Sequence, residues 1–193
     1  MTTGATKTRN DAWEVLTEFT KNEGLLKHGL AVEAAMRAYA RLYVEDEDIW
    51  GMAGLLHDFD YEQYPDVQQH GLVGSQILEE RGFPLAVVYA VKAHNDATGT
   101  PRIHLMDKAL FGVDELTGII TATALVRPTK SLFDVDASAV RRKMKDKAFA
   151  RNVSRDDIVK GAEDLGVALD QHIAFVIEAM QASADQLGLR GIA

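Results

Sequence analysis

The chain of 193 residues contains no cysteine. This absence excludes disulfide bonds, zinc sites built on thiolates and cysteine nucleophiles. The sequence has only four prolines, so few positions interrupt a helix. No run of about 18 consecutive apolar residues occurs, which predicts that no segment spans a membrane. Residues 1–10 are polar and lack an apolar core, so we expect no signal peptide and a cytoplasmic protein.

Basic charge is scarce as well. Lysine and arginine total 21 against 29 acidic residues, which gives a formal net charge of −8. This balance argues against broad nucleic-acid binding, although a local basic patch can still bind phosphate groups. The hydrophobic fraction of 47% is typical of globular proteins, and the length fits one domain. These values leave the oligomeric state open, and a homo-oligomer is compatible with them.

The pattern of apolar residues predicts an all-α protein. Alanine and leucine are abundant, whereas the polar–apolar alternation that is typical of strands is nearly absent. Gly82 is expected to end a helix and Ser154 to begin one, because these residues favour the C-terminal and N-terminal caps. Segments 61–68 and 95–101 are polar, contain prolines and predict loops. The predicted helices span residues 11–20, 25–44, 47–57, 70–80, 84–94, 105–125, 137–147 and 170–186.

Six residues with metal-binding side chains lie in or beside these helices. Imidazole and carboxylate are common ligands of first-row metals, and six of them suffice for one ion with open positions or for two ions that share a carboxylate. A carboxylate inside an apolar helix is unfavourable unless a partner compensates its charge. His104 and His172 fit no part of this set and are interpreted as surface residues or as residues behind the ligands. The six are His28, His57, Asp58, His70, His94 and Asp114.

The order of these residues resembles the HD superfamily of metal-dependent phosphohydrolases. The pattern of that family is a histidine, a His-Asp doublet and a distal aspartate, which correspond here to His28, His57-Asp58 and Asp114. The branch with two metals has two further histidines, which His70 and His94 match. The sequence around these two resembles bacterial HD enzymes that hydrolyse diadenosine tetraphosphate. The tail beyond residue 126 resembles small, largely uncharacterised HD-domain proteins.

The resemblance implies a single HD domain over residues 1–193, with a helical bundle at 25–126, a metal site in its core and a C-terminal helical extension at 127–193. It implies one or two divalent ions, drawn from Fe, Mn, Zn, Ni, Co and Mg. His28, His57, Asp58 and Asp114 are expected to hold the first ion. Asp58 is expected to bridge to a second ion, which His70 and His94 hold. The implied substrate is a small phosphate compound such as a nucleotide.

The chain departs from many relatives after the doublet, because the usual lysine is missing from the sequence His57-Asp58-Phe59-Asp60-Tyr61. Asp60 and Glu62 stand nearby, either to orient the attacking water or, as we favour, as solvated loop charges. Phosphoryl transfer also needs cations to stabilise the developing negative charge. The basic stretch between residues 127 and 151 is interpreted either as a rim that binds phosphate or as a solvated helix face. The candidate catalytic residues are Asp58, Glu62 and Lys108, and the candidate substrate-binding residues are Lys92, Asn95, Arg127, Lys130, Lys147 and Arg151.

Three functions fit this pattern. The favoured one is a metal-dependent phosphohydrolase that cleaves a phosphoester or phosphoanhydride of a small compound with metal-activated water. The second is an HD-fold di-iron oxygenase, because imidazoles suit iron as well as manganese or zinc. The third is a non-catalytic, metal-stabilised module that binds a ligand. The ligand set by itself does not separate these alternatives.

Overall fold

A computed structural model describes residues 7–191 of the chain. Within that range every regular element is helical and no strand is present, which confirms the all-α prediction. Two short 3₁₀ turns, Asp96–Thr98 and Leu132–Asp134, interrupt the loops. The helices are α1 (Arg9–Phe19), α2 (Glu23–Tyr43), α3 (Glu47–Leu56), α4 (Leu72–Glu80), α5 (Leu85–Ala93), α6 (Leu105–Leu125), α7 (Ala137–Lys145), α8 (Arg155–Asp164), α9 (Leu169–Gln181) and α10 (Ala184–Leu187).

The helix ends follow local side-chain chemistry. The side chains of Asn22 and Asp46 accept backbone hydrogen bonds at the starts of α2 and α3. Ser154 does the same for α8, as predicted. Gly82 follows α4 with φ of 73°, and its N–H donates to the carbonyl oxygen of Glu79. Glycine adopts this left-handed conformation without steric cost, so the chain reverses there as expected.

Among the boundaries that differ from the predicted ones, three have a clear local cause. Helix α4 begins at Leu72 rather than at residue 70, because Gly71 has φ of 76° and leaves the helical region. Helix α7 ends at Lys145, where the Asp146 side chain accepts from the next backbone N–H groups and starts a turn. The predicted helix 170–186 is split near Ser183, whose N–H bonds to the carbonyl of Met180 in a tighter turn.

The long helices α2 and α6 position the other elements. Helix α2 packs against α3, α6 and α9, and α6 also contacts α5, α7 and α8. The crossing of α2 and α3 is close, since a Cβ atom on Gly54 would stand 2.9 Å from the carbonyl oxygen of Val32. Only glycine permits that approach of the two backbones. The close crossing places His28 of α2 next to His57 at the end of α3.

The helices after residue 127 close over the same core. Helix α9 packs on α2, α6 and α7, while α8 packs on α6 and α9. Ile158, Ile173 and Val176 from this part belong to the apolar core that includes Met36 and Leu116 of the central helices. The C-terminal part therefore contributes to the interior and brings the start of α8 toward α6.

No described helix combines the length and apolar character needed to cross a bilayer. The expectation that the chain has no signal peptide concerns residues 1–10, of which residues 1–6 lie outside the described range.

His172 is a core residue, and its interpretation as a surface residue or one behind the ligands is wrong. Its side chain is 1% exposed. Nε2 donates to the carbonyl oxygen of Gly112 at 2.8 Å, and Nδ1 accepts from the hydroxyl of Tyr39 at 2.5 Å. Burial lowers the pKa of His172, which keeps the ring neutral. Its role is therefore to join α9 to α2 and α6 through satisfied hydrogen bonds.

We expect His172→Phe to lower the free energy of unfolding by about 2–4 kcal/mol, because two buried polar groups lose their partner. The folded-state pKa of His172 lies below its unfolded value, so the unfolded chain takes up a proton first as the pH falls below about 6.5. The free energy of unfolding of the wild type should therefore fall as the pH drops below about 6.5. The variant lacks His172, so this part of the fall should be absent from it. Urea unfolding at about pH 7.5 and 5.5 measures both effects. Loss of bound metal from the folded variant would contradict the assignment.

Candidate metal centre

The six predicted ligand residues converge at one place. His28 lies on α2, and Asp114 lies in the middle of α6. His57 and His94 are the C-terminal caps of α3 and α5, and Asp58 follows the first of these caps. His70 precedes Gly71, which begins the turn into α4. Residues from five segments thus meet where the C-terminal ends of α3 and α5 face α2 and α6.

The first donor set consists of His28, His57, Asp58 and Asp114, whose donor atoms all lie within 4.8 Å of one another. The Nε2 atoms of His28 and His57 are 3.1 Å apart. Oδ1 of Asp114 lies 3.0 Å from Nε2 of His28 and 3.3 Å from that of His57. Oδ2 of Asp58 lies 3.6 Å and 3.4 Å from the same two nitrogens. Two imidazoles and two carboxylates therefore face a common point.

The second donor set consists of Asp58, His70 and His94. The Nε2 atoms of the two histidines are 3.0 Å apart. Oδ1 of Asp58 lies 3.0 Å from His70 and 3.3 Å from His94. The two oxygens of Asp58 thus face different donor sets, and Asp58 is the one residue that both sets share.

In three of the histidines, the ring nitrogen that faces away from the donor sets, Nδ1, forms a hydrogen bond. Nδ1 of His57 donates to the carbonyl oxygen of Gly54 at 2.8 Å, and Nδ1 of His94 donates to that of Val91 at 2.5 Å. A carbonyl oxygen only accepts, so Nδ1 carries a proton, and once the ring is neutral the lone pair is on Nε2. Each such ring is therefore oriented with its lone pair toward the donor sets.

Asp60 forms the hydrogen bond to the third ring, that of His70. The favoured interpretation of Asp60 as a solvated loop charge is therefore wrong. Asp60 is 0% exposed, and its Oδ1 lies 2.8 Å from Nδ1 of His70. Its Oδ2 accepts from the backbone N–H groups of Gly71 at 2.9 Å and Gly74 at 2.8 Å. A carboxylate behind a ligating imidazole fixes the tautomer and raises the basicity of the ring. Asp60 therefore both orients His70 and anchors the first turn of α4.

In the metal-free protein, the carboxylates and imidazoles of the cluster shift one another's pKa values and favour each other's charged forms. Burial lowers the pKa of His57, but Asp58 and Asp114 raise it well above its usual value. Burial raises the pKa values of both carboxylates, yet the adjacent imidazoles bring them below the ordinary range. For His70, burial is outweighed by hydrogen bonds to Asp58 and Asp60, which raise its pKa to about 9. Metal binding must therefore displace protons from these imidazoles.

The donor atoms fit a divalent ion. Ligand atoms about 2.1 Å from a shared centre stand ~3.0–3.4 Å apart in octahedral or tetrahedral geometry, and most separations within each set lie in this range. Nitrogen and carboxylate oxygen suit iron, manganese, zinc and cobalt. The cluster can hold metal.

A cavity of about 580 Å³ opens over the cluster, a volume typical of small-molecule sites. The side chains of Asp58 and Asp114 are each 22% exposed and line it. Glu115 and Asp157 line it too, and burial together with the Asp114 charge raises the pKa of Glu115 to about 7. Among the described residues, none that lines this cavity is lysine or arginine. The site is therefore acidic around its donor sets.

Of the candidate substrate-binding residues, the structure brings only Asn95 to the cavity. Its amide nitrogen donates to the carbonyl oxygens of Val67 and His70, so the side chain ties two loops together. The basic candidates lie away from the lining because they sit on other faces of their helices or in exposed turns. These are Lys92, Lys108 and Arg127, which are partly buried, and Lys130, Lys147 and Arg151, which are exposed.

Glu62 also lies outside the cavity lining, and its predicted catalytic role has no support in the geometry. Its carboxylate accepts from the backbone N–H groups of Lys21 and Asn22, each at 2.9 Å. These hydrogen bonds lower the pKa of Glu62 and place a negative charge at the N-terminus of α2. Glu62 therefore fixes the start of the helix that carries His28.

Four residues of the site were not given these positions by the sequence. The sequence favoured a solvated loop charge over a water-orienting role for Asp60, and only the His70 contact reveals its position behind a ligand. Glu115 follows Asp114 directly in an apolar helix, so a second acid in that helix was a usable signal. Asn152 and Asp157 reach the cavity from the loop before α8 and from its first turn, which no local pattern indicates.

Comparisons with known proteins point to one family. A family model described as HD domain matches residues 25–144, a range that includes all six ligand residues. Ribonuclease Y of Desulfotalea psychrophila (strain LSv54 / DSM 12343) is 27% identical over 165 residues, which cover 81% of this chain and 31% of that protein. The chain thus spans about a third of the length of this curated relative. No solved structure matches the chain. With its ligands in the matched order and gathered in space, the chain belongs to the HD domain family.

Proposed function

We propose that this protein is a dinuclear metal-dependent phosphohydrolase acting on a small phosphate compound. The observation that carries the proposal is the position of Asp58, whose two oxygens face two different donor sets. A shared carboxylate is the arrangement expected for two adjacent divalent ions. HD-domain proteins are generally metal-dependent hydrolases, which supports the same reaction class.

Bound divalent ions supply two effects, a lowered pKa of water and polarisation of a phosphoryl oxygen. The chain's own residues set the geometry. Gly54 and Val91 hold the rings of His57 and His94 through their carbonyl oxygens, and Asp60 holds that of His70. These contacts remove the need to reorganise the ligands when metal and substrate bind. We assign the metal-binding role to His28, His57, Asp58, His70, His94 and Asp114.

The cavity favours a small substrate over a polynucleotide. The name of the matched relative, Ribonuclease Y, supports cleavage of a phosphodiester bond, but this chain spans only 31% of that protein. A long RNA strand needs many basic contacts to its backbone. Here the formal net charge is −8, and the described cavity lining has no basic side chain. A mononucleotide or another small phosphate ester fits these features better.

The acidic lining also favours a second candidate, a di-iron oxygenase with a neutral or cationic substrate. Glu115 and Asp157 face the cavity, and neither forms an ion pair within the described part of the chain. When ionised, these carboxylates repel an anionic phosphate, whereas in either protonation state they can bind hydroxyl groups. The donor sets suit iron as readily as manganese or zinc. Metal content and oxygen consumption distinguish the two candidates.

The test is a screen for phosphate release with protein purified without added metal and then loaded with Mn²⁺, Fe²⁺, Co²⁺ or Zn²⁺. The substrates are p-nitrophenyl phosphate, its bis-ester and nucleoside mono-, di- and triphosphates. We expect turnover that depends on metal and that a chelator abolishes. His28→Asn should lower kcat/KM by at least about 100-fold, because a donor of the first set is lost. Oxygen uptake is recorded in parallel.

His104→Asn is the matched control, because His104 is exposed at the start of α6 and asparagine is a good N-cap there. This variant should keep both metal content and turnover. Oxygen consumption by the iron-loaded protein, without phosphate release from any substrate, would favour the oxygenase. If the protein binds its full complement of metal and shows neither activity, the hydrolase proposal is overturned. The remaining function is then a non-catalytic module that binds a ligand.

A further inference from the structure

Gly118 has no packing role in α6 that explains its lack of a side chain. It lies one turn after Asp114, inside a 21-residue helix, where glycine is less stable than alanine. An added Cβ atom there would meet only Cγ2 of Val153 at 3.5 Å, which is an ordinary contact. By contrast, a Cβ atom on Gly161 would stand 2.4 Å from Cα of Gly112, so packing does explain that glycine.

Gly118 also lines a second cavity, of about 330 Å³. It shares two lining residues, His28 and Gly118, with the cavity over the metal cluster. The linings of the two cavities therefore have in common a candidate metal ligand and a position without a side chain. The second cavity is lined by Gly24, Lys27, His28, Gly118, Thr121, Leu125, Leu187, Gly188 and Leu189.

One face of α6 runs through both cavities. Asp114, Gly118, Thr121 and Leu125 are spaced four, three and four residues apart, which places them on the same side of a helix. Asp114 belongs to the first cavity, and Thr121 and Leu125 belong to the second. Gly118 is the position on this face that both cavities share. A side chain at 118 would extend toward Val153, which lines the first cavity, from a position that both linings share.

The second cavity suits an apolar group. Leu125, Leu187 and Leu189 supply aliphatic surface, and Leu125 is 50% exposed although it is apolar. The polar contribution comes from Thr121 and Lys27. Lys27 also pairs with Glu23 at 2.7 Å, so its charge is already compensated. An aliphatic or aromatic organic group is therefore the best occupant, and a second phosphate is a poor one.

We propose that the substrate spans both cavities, with its phosphate group at the metal cluster and an apolar organic group passing Gly118 into the second cavity. The hydrolytic part of this assignment rests on the proposed function, whereas the binding part does not. Gly118 is then a specificity-determining residue, because its missing side chain admits the organic group. The substrate class is a phosphate ester with an extended apolar substituent.

The test uses alkyl phosphonates from methyl to octyl, which mimic phosphate esters but resist hydrolysis. Their affinity for the metal-loaded protein is measured by titration calorimetry. Each methylene that enters the second cavity should raise the affinity about fourfold. Gly118→Leu should lower the affinity for octyl phosphonate at least about tenfold more than that for methyl phosphonate. Leu125→Ser, at a half-exposed position, should also reduce the gain from a longer chain.

Ala122→Leu is the matched control, because it adds the same side chain to α6 at a partly buried position that lines neither cavity. It should bind the whole series like the wild type. Equal affinity for methyl and octyl phosphonate, or an unchanged series in Gly118→Leu, would overturn the proposal. Binding that strengthens with chain length, without phosphate release from octyl phosphate, would support the two-cavity site and contradict the hydrolase.

Discussion

Replacing Asp58 by alanine is expected to remove the second metal ion and to weaken binding of the first. Its Oδ1 lies 3.0 Å from Nε2 of His70, and its Oδ2 lies 3.4 Å from that of His57. Without this carboxylate the second set keeps only two imidazoles, and the first set keeps three donors. Loss of an outer hydrogen-bond partner costs about 10–100-fold in metal affinity, and loss of a shared ligand should exceed this. Elemental analysis of the purified variant gives the metal stoichiometry.

Stability should change in parallel. A ligand at 100 times its dissociation constant stabilises the folded state by about 2.7 kcal/mol, which for a chain of this size raises Tm by roughly 5–11 °C. We expect this rise in the wild-type protein on metal addition and little of it in Asp58→Ala. Glu14→Ala is the control, because Glu14 is an exposed carboxylate on α1. Full metal stoichiometry in Asp58→Ala would show that the ligand assignment is wrong.

The Asp60→Asn protein is expected to keep its fold and lose affinity for the second ion. The carbonyl oxygen of asparagine can still accept from Gly71 and Gly74, as the carboxylate does now. The amide NH₂ then faces Nδ1 of His70, where Oδ1 of Asp60 now lies at 2.8 Å. Because the amide donates, Nδ1 must accept, and the ring proton moves to Nε2. A protonated Nε2 is no longer a metal ligand.

We therefore predict about 10–100-fold weaker binding at the second donor set. Nitrogen NMR of the metal-free protein at about pH 10, where the His70 ring is neutral, should show its proton on Nε2 in the variant and on Nδ1 in the wild type. Asp60→Ala should be more destabilised than Asp60→Asn, because it leaves two buried N–H groups unpaired at about 1–3 kcal/mol each. Asp66→Asn, at an exposed position between α3 and α4, is the matched control. Unchanged metal affinity with an unchanged tautomer in Asp60→Asn would refute the positioning role.

Helix content and the identity of the ligands were accessible from the sequence because both depend on local patterns. The periodic apolar residues of segments 25–44 and 105–125 predicted α2 and α6 to within two residues at each end. The six ligands stood out because acids and imidazoles in apolar segments are unfavourable unless they have partners. The helix ends were less accurate where one backbone conformation decides them, as at Gly71.

The assignments of charged residues beyond the ligands were less successful. Glu62 and Asp60 lie two residues apart in a polar loop, yet the first caps a helix and the second is buried behind His70. Lys147 and Arg151 formed a basic stretch in the sequence, but the cavity receives Asn152 and Asp157 from the same region. A charged side chain in a loop can point to either side of the chain, and local composition does not distinguish these directions.

The sequence by itself determined that the protein is helical, lacks thiolate chemistry and has imidazoles and carboxylates in the order of the HD domain family. The tertiary structure alone decided that Asp60 orients His70, that no basic side chain lines the described cavity over the donor sets, and that Gly118 lines two cavities. The physical reason is the separation in sequence over which each interaction acts. Helix formation and the cost of a buried charge act within a few residues, whereas ligand geometry and cavity shape depend on how helices distant in sequence cross.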